Sequence, residues 1–319
     1  MAPPRVEVGM CFDRTLPPPL VVEFATRLEA GGAGQLWVVE DCFYTAGVSL
    51  AATALAVTDR LRVGLGILPA VARNPAVTAM EIATLAALAP GRVLAGVGHG
   101  VQEWMAQMGA RTPSPLTTLE EVIVAVRQLL SGTEVTMDGR HVHLDRVRLD
   151  QPPPDPPPVL AGVRGPRSLE MAGRVAEGAV LAEPASPSYV RWALDRAGRP
   201  ADFHVAAFAA LCVADDRSTA YRRMAPWLAG LLDEQSTALR ALPFFDDLVA
   251  HYGSRGVDGL VGMPHEWWVE IGPIGTRDDA RAHVDALEAA GARSIGLFPA
   301  PDGSIALSQL DHVVALAQR

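Results

Sequence analysis

Cysteine is scarce. Cys11, Cys42 and Cys212 are the only three in 319 residues, far apart and in no CxxC pair, which excludes a disulfide framework and suits free thiols in a reducing compartment. Positive charge is short as well: 27 Lys and Arg face 36 acidic residues, for a formal net charge of −9. With a pI near 5.4, the chain lacks the clustered cations that neutralise phosphates, which excludes a nucleic-acid surface. No apolar run reaches the ~20 residues of a bilayer span; the longest uncharged stretch, 42–58, is rich in Ala and Thr. The opening MAPPRVEVGM has no apolar signal core, so the expected location is cytoplasmic and away from membranes. HExxH, GxSxG and GxxxxGK[ST] are missing, and with them the usual signals of zinc hydrolases, α/β-hydrolases and P-loop enzymes.

What is present is enough apolar sequence for a large core, 49% hydrophobic against 20% charged. Strand-like and helix-like patterns alternate along it. Strands are predicted at 6–11, 36–39, 61–68, 92–97, 159–162, 179–182, 203–213 and 294–298. Helices are predicted at 20–30, 48–57, 76–88, 117–130, 166–177, 187–197, 277–290 and 307–317. Eight strands, each followed by helical sequence, is the count of a closed (β/α)8 TIM barrel, an α/β fold. An open doubly wound sheet is disfavoured because no GxGxxG follows the first strand.

Two segments interrupt the rhythm. At 133–149, Asp138 and Gly139 supply a turn between alternating β segments, a hairpin insertion. At 217–275 the sequence reads as helical and aromatic, an insertion near the C-terminal third. The six prolines of QPPPDPPP (151–158) read as a stiff surface connector, which leaves 1–319 as a single domain with two insertions.

In a barrel, chemistry belongs at the carboxyl ends of the strands. There AGVRGPRS (161–168) joins a strand to a helix opened by Pro166. Free amides of Arg167, Ser168 and Leu169, the Ser168 hydroxyl and the charges of Arg164 and Arg167 suit a phosphate monoester. The same residues also suit a plain loop with solvated arginines. In LAGVGHGVQEWMAQMG (94–109), Gly96, Gly98 and Gly100 leave room for a flat ring, and His99 offers a cofactor contact or proton donor, or no role at all. In GLGILPAVARNPAVTA (64–79), Gly66 marks close backbone approach, while Arg73 and Asn74 cap and solvate a helix start. Glu40 and Asp41 end the second strand with carboxylates suited to a ring system or to helix capping. His141 and His143 share one hairpin face by spacing, but no Cys or third ligand stands near, so no metal is expected. Trp267 and Trp268 line a substrate pocket or cover the barrel's lower end.

Together, segments 64–79, 94–109 with SPLTTLEEVIVAVRQLLSG (114–132), and AGVRGPRSLEMAGRVAEGAVLAE (161–183) closely resemble the luciferase-like flavin-dependent superfamily. Within it they look most like the coenzyme F420-dependent branch related to methylenetetrahydromethanopterin reductase. The resemblance runs over most of 6–215, returns at 276–299 and does not cover 217–275. It implies a β/α barrel holding a deazaflavin or flavin ring at the strand ends, with a non-proline cis peptide at Gly66–Ile67 bulging behind it. A Gly-Pro-Gly-like loop matches Gly98, His99 and Gly100, with His99 where proline is usual, and the phosphate loop matches Gly162, Val163, Arg164, Gly165, Pro166, Arg167 and Ser168.

Glu183 joins the implied cofactor set; His99 and Asp41 are the expected acid–base groups, and Cys11, Asp13, Trp104 and Trp267 the expected substrate contacts. The implied reaction is hydride transfer between coenzyme F420 and a small organic molecule, with reduction the favoured direction. An FMN-dependent monooxygenase fed by a partner flavin reductase is the alternative, and a flavin-binding barrel without turnover a third. A homodimer is left open.

Overall fold

The computed structural model describes residues 5–299 and 303–318; residues 1–4 of the segment read for a signal core lie outside them. In chain order the first half runs β1 (Glu7–Phe12), α1 (Leu20–Ala30), β2 (Gln35–Val38), α2 (Gly47–Ala56), β3 (Arg62–Pro69), α3 (Pro75–Leu88), β4 (Val93–Gly98), α4 (Gln102–Gln107) and α5 (Pro115–Leu130). It continues with β5 (Val135–Asp138), β6 (His143–Val147), β7 (Val159–Gly162), α6 (Pro166–Val175), β8 (Gly178–Leu181), α7 (Pro187–Arg196) and β9 (His204–Val213). The last part is α8 (Arg217–Asp233), α9 (Phe245–Val261), α10 (His265–Ile271), β10 (Ile274–Gly275), α11 (Arg277–Ala290), β11 (Ser294–Pro299) and α12 (Gly303–Ala317).

Strands β1, β2, β3, β4, β7, β8, β9 and β11 pair in parallel in that order, and β11 returns to β1, so the sheet closes on itself. This is the expected TIM barrel. Alternate residues face the barrel interior, where Cys11, Trp37, Leu94, Leu160, Val180, Ala206 and Phe208 form one buried cluster. Trp37 fits because its neighbour on β3 is Gly64, where a Cβ would lie 2.1 Å from the indole. Below Trp37 a polar layer plugs the amino end: Gln35 accepts from the Trp37 indole at 2.9 Å and donates to Glu7 and Ser294 at 2.6 and 2.8 Å. A larger apolar layer joins the outer strand faces to the helices.

The hairpin β5–β6 is antiparallel, with a turn over residues 139–142 rather than at two residues alone. That turn carries His141 off the strand that holds His143, so the two do not share a strand face. His143 Nδ1 instead bonds Asp138 Oδ1 at 3.0 Å. Among the described residues, no group of His, Cys, Asp and Glu could hold a metal ion, and no helix is long and apolar enough to cross a membrane. The helical insertion builds a second core of its own around Tyr221, Met224 and Trp268, set against Ala210 and Cys212 of β9. Helix α4 occupies part of the segment read as loop, and α5 starts two residues early because Pro115 fits a first helical turn.

Candidate active site

The loops at the carboxyl ends of the barrel strands enclose a cavity of about 470 Å³. Its wall includes Asp41 after β2, Gly66 and Ile67 of β3, His99 and Gly100 after β4, and Trp104 of α4. The opposite side is Gly162 to Gly165 with Ser168 at the β7–α6 junction, and Glu183 after β8. Phe208 of β9 and Phe298 of β11 close the floor, their rings edge to face at 5.6 Å.

The Gly66–Ile67 peptide is cis, as the resemblance implies, and the pairing of β3 with β4 breaks between Leu65 and Leu68. Ile67 is thereby turned onto the neighbouring strands. A Cβ at Gly98 would lie 2.9 Å from Ile67 Cδ1, and one at Gly162 2.6 Å from Ile67 Cγ2. A Cβ at Gly96 would meet the Leu65 carbonyl oxygen at 2.2 Å. This corrects the reading of the glycine run: Gly96 and Gly98 make room for β3, not directly for a ring, and Ile67 forms the surface a ring would meet. Gly100 is needed for a different reason, its φ of 69°. Cys42–Phe43 and Glu183–Pro184 are also cis.

At the junction of β7 and α6, Gly165 is extended and Pro166 occupies the first turn. The Leu169 amide already donates to the Gly165 carbonyl at 3.0 Å, so the free first-turn donors are the amides of Arg167 and Ser168, not three. The Tyr189 hydroxyl donates to the Arg164 carbonyl at 2.8 Å and fixes the loop from α7. Arg164 lines the cavity, whereas Pro166 and Arg167 are exposed outside its wall. The loop's cavity-facing charge is therefore Arg164.

Three carboxyls line the cavity: Glu40, Asp41 and Glu183. Asp41 accepts from Arg14 at 2.9 Å, and the Arg14 guanidinium lies over the rings of Tyr44 and Trp104 at 5.1 and 5.5 Å. Burial pushes the Asp41 carboxyl above its usual range, although Arg14 pulls it down. Glu183 is half-buried and raised by the same desolvation, opposed by Arg164 and reinforced by Asp41 and Asp13. Glu40, the other carboxylate of its pair, is taken up structurally, accepting from Arg73 at 2.7 and 2.9 Å and from the Gly47 amide at 3.0 Å. Burial lowers the pKa of His99, partly offset by a backbone hydrogen bond to Pro115, and its Nδ1 is buried without a partner.

Three of the four expected substrate contacts fall elsewhere. Cys11 is wholly buried inside the barrel beneath the cavity, packed close to Gly296. Asp13 folds back on Thr15, accepting from its amide at 2.8 Å. Trp267 stacks on Phe244 at 4.6 Å within the insertion's own apolar cluster; aromatic content pointed to it, but that surface is spent on packing α9 and α10. Arg14 and Tyr44 were missed. The available signal was position, since both lie within a few residues of a barrel strand's carboxyl end.

The luciferase-like monooxygenase family matches residues 13–294. Over 209 residues the sequence is 32% identical to the 5,10-methylenetetrahydromethanopterin reductase of Methanolobus tindarius, covering 63% of each chain. It is 30% identical over 157 residues to the F420-dependent glucose-6-phosphate dehydrogenase of Nakamurella multipartita, covering 46% of each. The chain thus aligns with about half to under two thirds of these relatives' lengths. The coenzyme F420-dependent tetrahydromethanopterin reductase of Methanopyrus kandleri superposes with a TM-score of 0.78 at 19% identity, over 99% of this chain and 98% of that one.

Proposed function

Because the chain belongs to the luciferase-like monooxygenase family, we propose that it is a coenzyme F420-dependent oxidoreductase acting on a small organic molecule, with reduction as the favoured direction. The observation that carries this reading is the shape of the barrel mouth. A hydrophobic step at Ile67 faces, across one cavity, the start of α6, where Ser168 joins the wall with a free amide and its hydroxyl donates to the Gly165 carbonyl at 3.1 Å. A planar ring on the first and a phosphate on the second are the two demands of a deazaflavin or flavin nucleotide. The unpartnered Nδ1 of His99 beside Gly100 is a polar atom suited to such a ligand. Named similarity to F420-dependent relatives favours the deazaflavin over FMN.

When bound, the cofactor supplies or accepts the hydride. The chain's part is binding, alignment and proton handling. Gly162, Val163, Gly165, Ser168 and Arg164 hold the phosphate end; Gly66, Ile67, Gly98 and Gly100 shape the ring face. Asp41 is the acid–base group offered to the substrate: burial pushes its carboxyl above the usual range against the pull of Arg14, which fixes its orientation. His99, kept uncharged near neutral pH by burial, serves as a hydrogen-bond partner. Glu183 and Trp104 complete the wall.

Titration of the purified protein with F420 and, separately, with FMN tests the proposal. Saturable F420 binding followed by substrate-dependent reoxidation of the reduced cofactor is expected. Tight FMN binding without any F420 response would overturn it in favour of an FMN-dependent monooxygenase, the reading that the family's own description favours.

A further inference from the structure

Among the described residues, two arginines line the mouth cavity, Arg14 and Arg164. They follow β1 and β7, the first and fifth strands in the closed order of the barrel, and so stand on opposite sides of the mouth. A phosphate at the start of α6 takes up Arg164 and leaves Arg14 to whatever shares the cavity with the cofactor. Arg14 is fixed in place but little used. Its guanidinium lies over the rings of Tyr44 and Trp104 at 5.1 and 5.5 Å, contacts that consume no hydrogen bond. Among the described residues its one hydrogen bond runs from Nη1 to Asp41 Oδ2 at 2.9 Å. The other acids nearby are engaged elsewhere: Glu40 accepts from Arg73, and Asp13 from the amide and hydroxyl of Thr15. Nε and Nη2 therefore remain as a planar pair of donors in a pre-set position, the arrangement that binds a carboxylate through both oxygens.

Resting on the functional reading above, we propose that Arg14 anchors a carboxylate of the substrate, which makes the substrate an organic acid. Asp41 sits on the same guanidinium, so the reacting carbon beside Asp41 lies within a few bonds of that carboxylate. Phosphate is the poorer match. A tetrahedral phosphate draws on several donors, as at the start of α6, whereas Arg14 offers one planar edge.

The test compares benzoate with benzamide, which differ in charge and hardly in shape, by calorimetry on the F420-loaded protein, where the cofactor's phosphate fills the α6 site. Benzoate is expected to bind at least about tenfold tighter than benzamide, the usual margin for bonds between charged groups. Arg14→Gln should bring the two affinities to within about twofold, and Arg14→Lys, which keeps the charge without the planar edge, should keep part of the preference. A native protein that does not distinguish the two ligands, or an Arg14→Gln variant that keeps the full preference, would overturn the proposal. If Arg14→Gln fails to fold, Arg14→Lys decides alone, and an undiminished preference in it overturns the proposal as well. If the protein takes up no F420, the functional reading fails by itself, and the same pair on the unloaded protein still decides the anchor. Loss of the benzoate preference in Arg14→Gln then supports it, and loss in Arg164→Ala alone overturns it.

Discussion

Ile67 organises the floor of the site, and the three glycines around it are best understood through its side chain. A methyl group at Gly98 would stand 2.9 Å from Ile67 Cδ1 and 3.0 Å from the Gly162 carbonyl oxygen. Gly98→Ala should therefore destabilise the fold by about 1–3 kcal/mol, the usual cost of overpacking. Combining it with Ile67→Ala should recover part of that loss, giving a coupling of about 1 kcal/mol in a denaturation double-mutant cycle. Additive effects would mean that the glycine and the isoleucine do not compete for space. A second prediction concerns the arginines of the β7–α6 loop. Arg164 lines the cavity and Arg167 does not, so Arg164→Ala should weaken F420 binding by about 1.5–3 kcal/mol. Arg167→Ala should cost well under half of that, and equal losses in the two titrations would refute the assignment. Sequence reading placed both arginines at the loop but had no means of separating them, because Arg164 lies in the loop before the extended Gly165 and Arg167 in the first turn of α6, and residue type alone does not say which way either points. Position at a strand's carboxyl end was the one signal for Arg14; its partners were not legible, because Asp41 and Tyr44 come from the loop after β2 and Trp104 from α4.

Elements were more legible than residues because periodicity is local. The eight barrel strands were all recognised, since buried parallel strands are short apolar runs bounded by glycine or charge. Helix α4 was not, as Gln102 to Gln107 offers only Met105 as a buried residue. The hairpin was seen from its turn, but its fastening to the barrel was not. Glu121 on α5 accepts hydrogen bonds from the amides of Arg140, His141 and Val142 at 2.7, 2.9 and 2.9 Å. Burial pushes its carboxyl up, yet these three amides outweigh it and hold the group below the usual range. Glu121→Ala leaves the three donors to water and should release the turn. Amide exchange over residues 135–147 is expected to speed by one to two decades, corresponding to about 1.5–3 kcal/mol for bonds to a charged acceptor. Unchanged protection there would show that β5–β6 is held by packing alone. Glu29 plays the same part on the amides of Asp59, Arg60 and Leu61, so carboxylate fastening of a distant turn recurs in this fold.

At the scale of the whole molecule, closure of the sheet puts all eight strand ends around one mouth, and the helical insertion adds a second core beside it without entering the site. The two cores meet at α10 and α11, where His283 on α11 is wholly buried and bonds the Val269 carbonyl at 2.6 Å through Nδ1. Burial, only partly opposed by that hydrogen bond, lowers the His283 pKa to about 4. The sign follows from linkage. In the unfolded chain the imidazole takes up a proton near its ordinary value of about 6.5, while in the folded protein it stays neutral until about pH 4. Stability from this group is thus complete above about pH 6.5, falls as the pH drops toward 4 and is constant below, a loss on the order of 3 kcal/mol. Chemical denaturation from pH 7.5 to 4 should show a steeper decline for the native protein than for His283→Gln, which cannot titrate. The free-energy difference between the two should shrink by that amount across the window. A difference that stays constant with pH would mean that His283 titrates alike in the folded and unfolded chain, and that burial at the joint between the two cores does not hold it neutral.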